Sequence, residues 1–84
     1  MKGITMRLDK YLKVSRLIKR RTVANEAVDG ERVTVNGRTV KASYQVKLGD
    51  VIEIAYGQRT LKVEVTEINE YANKESASAM YKEI

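Results

Sequence analysis

The sequence contains no cysteine, histidine, proline, tryptophan or phenylalanine. Without cysteine there is no disulfide framework and no thiolate metal site, which fits a reducing, cytoplasmic setting. Without histidine the commonest general base and the commonest nitrogen ligand are missing, so a conventional hydrolase triad or zinc centre cannot be assembled. No Ser, Thr or Lys–carboxylate arrangement stands out in their place; no enzyme and no cofactor are expected. No apolar run approaches ~18 residues and the N-terminus has no hydrophobic signal core, so neither a membrane span nor secretion is expected. The aromatic content is five scattered tyrosines, which read as edges of a core rather than as a base-stacking platform. A membrane-anchoring aromatic wedge is absent too.

What is there is a chain of 84 residues, 43% apolar and 32% charged, the composition of a small folded domain. The net charge of +5 is unevenly placed. Residues 1–25 hold Lys2, Arg7, Lys10, Lys13, Arg16, Lys19, Arg20 and Arg21 against Asp9 alone, a local charge of +7. The rest holds eight cations and ten anions, a charge of −2. A one-ended cationic field points to an anionic partner.

Leu8, Tyr11, Leu12 and Ser15 are spaced as one face of a helix. If that helix continued to residue 21 at ~100° per residue, Leu17 would join Arg7, Lys10 and Lys13, and Lys19 would join the apolar face. The phases conflict, so the spacing predicts a helix over about 7–14 and a bend through the basic stretch "SRLIKRRT". Thr22 then reads as the N-cap of a second helix over about 23–29, with Gly30 as its stop.

The pattern changes to period two at "RVTVNGRTVK". Asn36-Gly37 suits a type I′ turn, whose two central residues need positive φ. That register pairs Val35 with Arg38, Thr34 with Thr39 and Val33 with Val40, leaving Arg32 opposite Lys41. Like charges facing across strands imply either a bound anion or a hairpin that opens there. Gly57-Gln58 suits a type II′ turn, and its register sets Ile54 opposite Leu61 and Ile52 opposite Val63 on one apolar face. Ala77, Met80, Tyr81 and Ile84 follow helical spacing, predicting a C-terminal helix. The expected fold is therefore α+β: two short N-terminal helices on a small, mostly antiparallel sheet of about four to five strands, closed by a C-terminal helix. Residues 1–84 read as a single domain, with residues 1–5 a short arm.

Cationic runs are ordinarily solvated faces. Here the anions lie almost entirely elsewhere in the chain, which favours nucleic acid. A DNA-reading helix–turn–helix would set a basic second helix in the major groove. The second helix here carries Glu26 and Asp29 and, over 23–29, no cation. Cations on the first helix and on the turn suit phosphate and shape reading, as in structured RNA.

The string over residues 7–54 resembles the RNA-binding domain named after ribosomal protein S-four, also called the αL motif. Its marks are Arg7-Leu8-Asp9 opening the first helix, the basic stretch before Thr22, Gly30 with the following valines, Val35-Asn36-Gly37, and Lys47 with Gly49-Asp50. It is most similar to freestanding members that serve ribosome-associated quality control. The resemblance implies binding to ribosomal RNA of the large subunit and to tRNA, on subunits still carrying peptidyl-tRNA, in support of a tRNA-recruiting factor that tails the stalled chain. It implies RNA contact at Arg7, Arg16, Arg20 and Arg21, joined by Lys10, Lys19 and Lys41. Asp9 would either orient these cations or cap backbone groups. A ribosome-maturation factor would share the same chemistry.

Overall fold

The computed structural model describes residues 5–69 and 74–84. The expected arm lies outside them apart from Thr5, whose Oγ1 donates to Gln45 Oε1 at 3.0 Å. A short strand β1 (Met6–Arg7) leads into helix α1 (Leu8–Val14), and helix α2 (Arg21–Asp29) follows. Strands β2 (Val33–Val35), β3 (Arg38–Thr39), β4 (Gln45–Val46), β5 (Val51–Tyr56) and β6 (Arg59–Val65) come next. The chain ends with helix α3 (Lys74–Ala77), a 3₁₀ turn (Ser78–Met80) and strand β7 (Tyr81–Glu83).

β1 pairs with β4, and a second sheet runs β3-β2-β5-β6-β7, with every pairing antiparallel. This is the α+β fold expected, with the helices closing one face of a one-sided sheet. Leu8, Tyr11 and Leu12 are fully buried from α1, with Ser15 at its end. They meet Ala24, Ala27 and Val28 of α2 and the inward row Val33, Val35, Ile52, Ile54, Val63 and Val65 in one core. Each fully buried aliphatic side chain contributes about 1.5–3 kcal/mol of transfer free energy. Tyr11 also joins the two ends of the chain, because its buried hydroxyl donates to the Met80 carbonyl at 2.7 Å.

Both hairpin turns form as their residues require. Asn36 (φ 54°) and Gly37 (φ 79°) give the two positive angles of a type I′ turn, and Gly57 (φ 58°) opens the second hairpin. Ile54 faces Leu61 and Ile52 faces Val63 as expected.

Three expectations need correction. The first hairpin keeps Thr34 opposite Thr39 and Val35 opposite Arg38 but ends there, and Val33 lies opposite Ile54 instead of Val40. Opening releases Lys41 from Arg32, whose carbonyl accepts the Ala55 amide at 2.8 Å. The α2 N-cap is Arg20 in an extended conformation, not Thr22, and no side chain caps it. At the other end of α2, Gly30 is the stop expected: the helix ends at Asp29 and Gly30 is its C-cap, at φ −82°. Glu31 beyond it takes the left-handed angle (φ 59°), and the Glu31 and Arg32 amides close the helix on Val28 and Ala27 at 3.0 and 2.9 Å. Lastly, the helix expected through Ile84 stops early. Ala77 and Met80 are buried as its spacing required, but 81–83 forms β7 on β6, with Tyr81 opposite Val65. The edge of β6 presents unpaired amides and carbonyls, which a helix could not satisfy.

Candidate nucleic-acid interface

The N-terminal cations are organised around one buried acid. Asp9 sits in the first turn of α1 and is 1% exposed. Its Oδ1 accepts the Lys10 amide at 2.8 Å and Arg7 Nε at 3.2 Å. Its Oδ2 accepts Asn25 Nδ2 at 3.0 Å, Arg21 Nε at 3.3 Å and an Arg7 terminal nitrogen at 3.3 Å. Both alternatives left open for Asp9 therefore hold: it orients cations and caps a backbone group. Burial by itself would push its carboxyl up. The hydrogen bonds from Asn25, the Lys10 amide and Arg21, with the Arg21 charge, outweigh burial and hold it below the ordinary 3.8.

Arg7 and Arg21 remain 48% and 46% exposed by side chain, so a buried carboxylate steadies the inner edge of each guanidinium while the rest meets solvent. A fork held this way loses less freedom when it binds a second anion. Asn25 stands one helical turn after Arg21 and also donates to the Arg21 carbonyl at 3.2 Å. Finding its role needs the α1–α2 packing, which no local pattern encodes.

The bend follows at once. Arg16 adopts φ 64°, a left-handed angle uncommon outside glycine. Its amide donates to the Lys13 carbonyl at 3.0 Å, and the Ile18 amide reaches back to Leu12 at 3.0 Å. Ile18 is buried and Leu17 partly so, both against the core. Apolar anchors thus fix a turn on which Arg16, Lys19 and Arg20 are exposed. Lys10 is half-buried on α1.

Lys41 is placed differently. It precedes Ala42, whose carbonyl accepts the Asp9 amide at 3.1 Å, so it lies near the start of α1. It also lines a shallow depression with Asp29 and Glu31, two acids that offset its charge. Arg38 and Lys47 escaped attention because they belong to the nearly neutral part of the sequence. They line a recess of about 340 Å³ with Asn36 and Tyr44. Buried Asp50 ties three of its lining residues together, accepting Asn36 Nδ2, Tyr44 Oη and the Lys47 amide, each at 3.1 Å. Burial, then the bond to Asp50, push the Tyr44 hydroxyl up and keep it a donor. Among the described residues no carboxylate cluster could hold a metal ion, and no helix is long and apolar enough to cross a membrane.

The S4 domain family model matches residues 6–52. A protein of Halalkalibacterium halodurans named "RQC P-site tRNA stabilizing factor" is 54% identical over 76 residues, covering 90% of this chain and 86% of that one. A Bacillus subtilis protein of the same name is 51% identical, covering 90% and 88% of the two chains. Among solved structures, trimeric heat shock protein 15 of Vibrio cholerae superposes with a TM-score of 0.89 at 29% identity, covering 96% of this chain and 83% of that one. The chain belongs to the S4 domain family.

Proposed function

We propose that this chain is a binding factor rather than an enzyme, one that grips P-site tRNA and ribosomal RNA on obstructed large ribosomal subunits during ribosome-associated quality control. The observation that carries this reading is the identity above 50% to relatives named for P-site tRNA stabilisation, across nine-tenths of the chain. The arginine pair steadied by Asp9, next to the exposed turn at Arg16, supplies the matching chemistry: preset bidentate donors for phosphate. In this reading Arg7, Lys10, Arg16, Lys19, Arg20, Arg21 and Lys41 meet the RNA backbone. The bound protein would hold tRNA in place for a separate tRNA-recruiting factor that extends the stalled chain.

The test is cosedimentation with large subunits that carry peptidyl-tRNA, at physiological salt. The protein should travel with them, and simultaneous replacement of Arg7, Arg16 and Arg21 by Ala should release it. Survival of binding in that variant would remove the surface assignment. Tighter binding to duplex DNA than to structured RNA of equal charge would remove the RNA reading.

A further inference from the structure

Tyr56 ends β5 on the same face as Ile52 and Ile54 yet is 44% exposed, because the helices do not extend over it. Its ring is not loose. The hydroxyl donates to the Leu17 carbonyl at 2.9 Å, which ties the tip of the second hairpin to the basic bend. Burial pushes that hydroxyl above its ordinary 10.0 and keeps it protonated as a donor.

Two hollows share this ring. One, about 280 Å³, is lined by Leu17, Val23 and Tyr56, with Lys19 and Arg32 among its cations. The other, about 340 Å³, continues along Leu61 and Thr60, with Arg59 and Glu83 at its sides. Val23 is 46% exposed although it belongs to the apolar set of α2, so the first hollow has an open apolar wall. Three cations against one carboxylate, around a fixed aromatic face, complement an anionic ligand with a flat apolar part. An unpaired nucleotide is that ligand, and RNA is commonly read by splaying such bases onto aromatic rings. A helix of a protein partner would need a longer groove than either hollow offers.

We propose that the recess around Tyr56 seats an unpaired base of the bound RNA, stacked on the tyrosine ring, while Lys19, Arg32 and Arg59 face the adjoining phosphates. This rests on the RNA-binding reading above and adds a base contact to its phosphate contacts. Lys19 supplies the continuity, since it lies on the same bend as Arg16 and Arg20.

The experiment uses the whole chain with two RNA hairpins, one carrying 2-aminopurine in its loop and the other an abasic site at that position. The protein should bind the first about tenfold more tightly, with a change in 2-aminopurine fluorescence. Tyr56→Leu should abolish both the preference and the fluorescence change, with an unaltered salt slope, because the slope counts phosphates and not bases. Tyr56→Phe retains the ring and should retain most of the preference. The Arg7, Arg16 and Arg21 triple variant should show the reverse pattern, a shallower slope with the preference intact. A preference that survives Tyr56→Leu overturns the base seat and leaves RNA binding standing. An acidic peptide that occupies the recess while the 2-aminopurine signal persists overturns it as well. Failure of the unaltered protein to bind either hairpin in a salt-dependent way overturns this proposal and the RNA reading together.

Discussion

The two helices and the sheet use charge in opposite ways. On the outward face of the sheet, Glu53 lies opposite Lys62 and Glu64 opposite Lys82, and Thr34 donates to Glu53 at 3.4 Å. Those charges alternate in sign across strands and leave little net field. The N-terminal stretch of residues 1–25 carries eight cations and one acid in its sequence, and that acid is buried beneath two of the arginines. Charge that is matched within the fold gives a solvated, self-satisfied surface. Charge left unmatched and held in fixed orientation makes a binding surface. The helix ends repeat the contrast. Each closes on a left-handed residue that is not glycine, Arg16 after α1 and Glu31 after α2, and only Arg16 belongs to the cationic surface.

The contrast can be broken most forcefully in the core beneath the sheet. Ile52→Ala should cost about 2–5 kcal/mol, a large share of what a small domain possesses, while the fraction still folded binds RNA unchanged. Denaturant melts and binding at matched folded fraction would read this, and altered affinity of the folded protein would erase the division of labour.

On the helical side, replacing Arg16 and Arg20 together by Ala should lower the RNA salt slope by about two units. Stability should stay within about 0.5 kcal/mol, since both side chains are exposed. Binding titrations from low to high salt, beside thermal melts, separate the two effects.

Asp9→Asn sharpens the comparison further, because it removes an anion and should nevertheless weaken RNA binding by loosening Arg7 and Arg21. Simple charge counting expects the opposite sign. Stability at neutral pH should fall by about 1–2 kcal/mol through loss of hydrogen bonds to a charged group. The carboxyl of Asp9 is held below its unfolded value, so its contribution is fully present above 3.8 and fades as pH falls from there through the lower folded value. Acid melts of the unaltered protein should show that loss, and Asn at position 9 should remove its share of the pH dependence.

The smallest effect concerns the paired helix ends. Glu31→Gly should raise stability by about 0.5–1 kcal/mol, relieving a left-handed angle against the entropy glycine adds to the unfolded chain. Arg16→Gly should stabilise comparably and weaken RNA binding. Equal binding by both variants would mean that the strain at Arg16 serves no contact.

Local chemistry explains which parts were readable in advance. The helical face of Leu8, Tyr11 and Leu12, the phase conflict that forces a bend at Leu17 and Lys19, and both hairpin turns all follow from side-chain period and φ preference within a few residues. The cationic surface was readable because charge is additive along a chain. The rest depended on partners far away in sequence. β1 pairs with β4 through two residues each, too few to leave a period, and β7 looked helical until the open edge of β6 claimed its backbone. Thr22 looked like a cap, yet α2 begins one residue before it, and Glu31 rather than Gly30 takes the left-handed place beyond α2.

Asp9 and Tyr56 mark the boundary most clearly. Composition alone established a one-ended basic domain with no cysteine or histidine chemistry, and spacing alone established its helices and turns. Whether Asp9 would neutralise the cations or aim them required α2 to bring Arg21 and Asn25 onto one carboxylate. Whether Tyr56 would be an ordinary core edge required the hairpin tip to reach Leu17. Residue type sets what a group is able to do, and its neighbours across the fold set its desolvation, its hydrogen bonds and its orientation, so a contact between residues 39 positions apart leaves no trace in either local stretch.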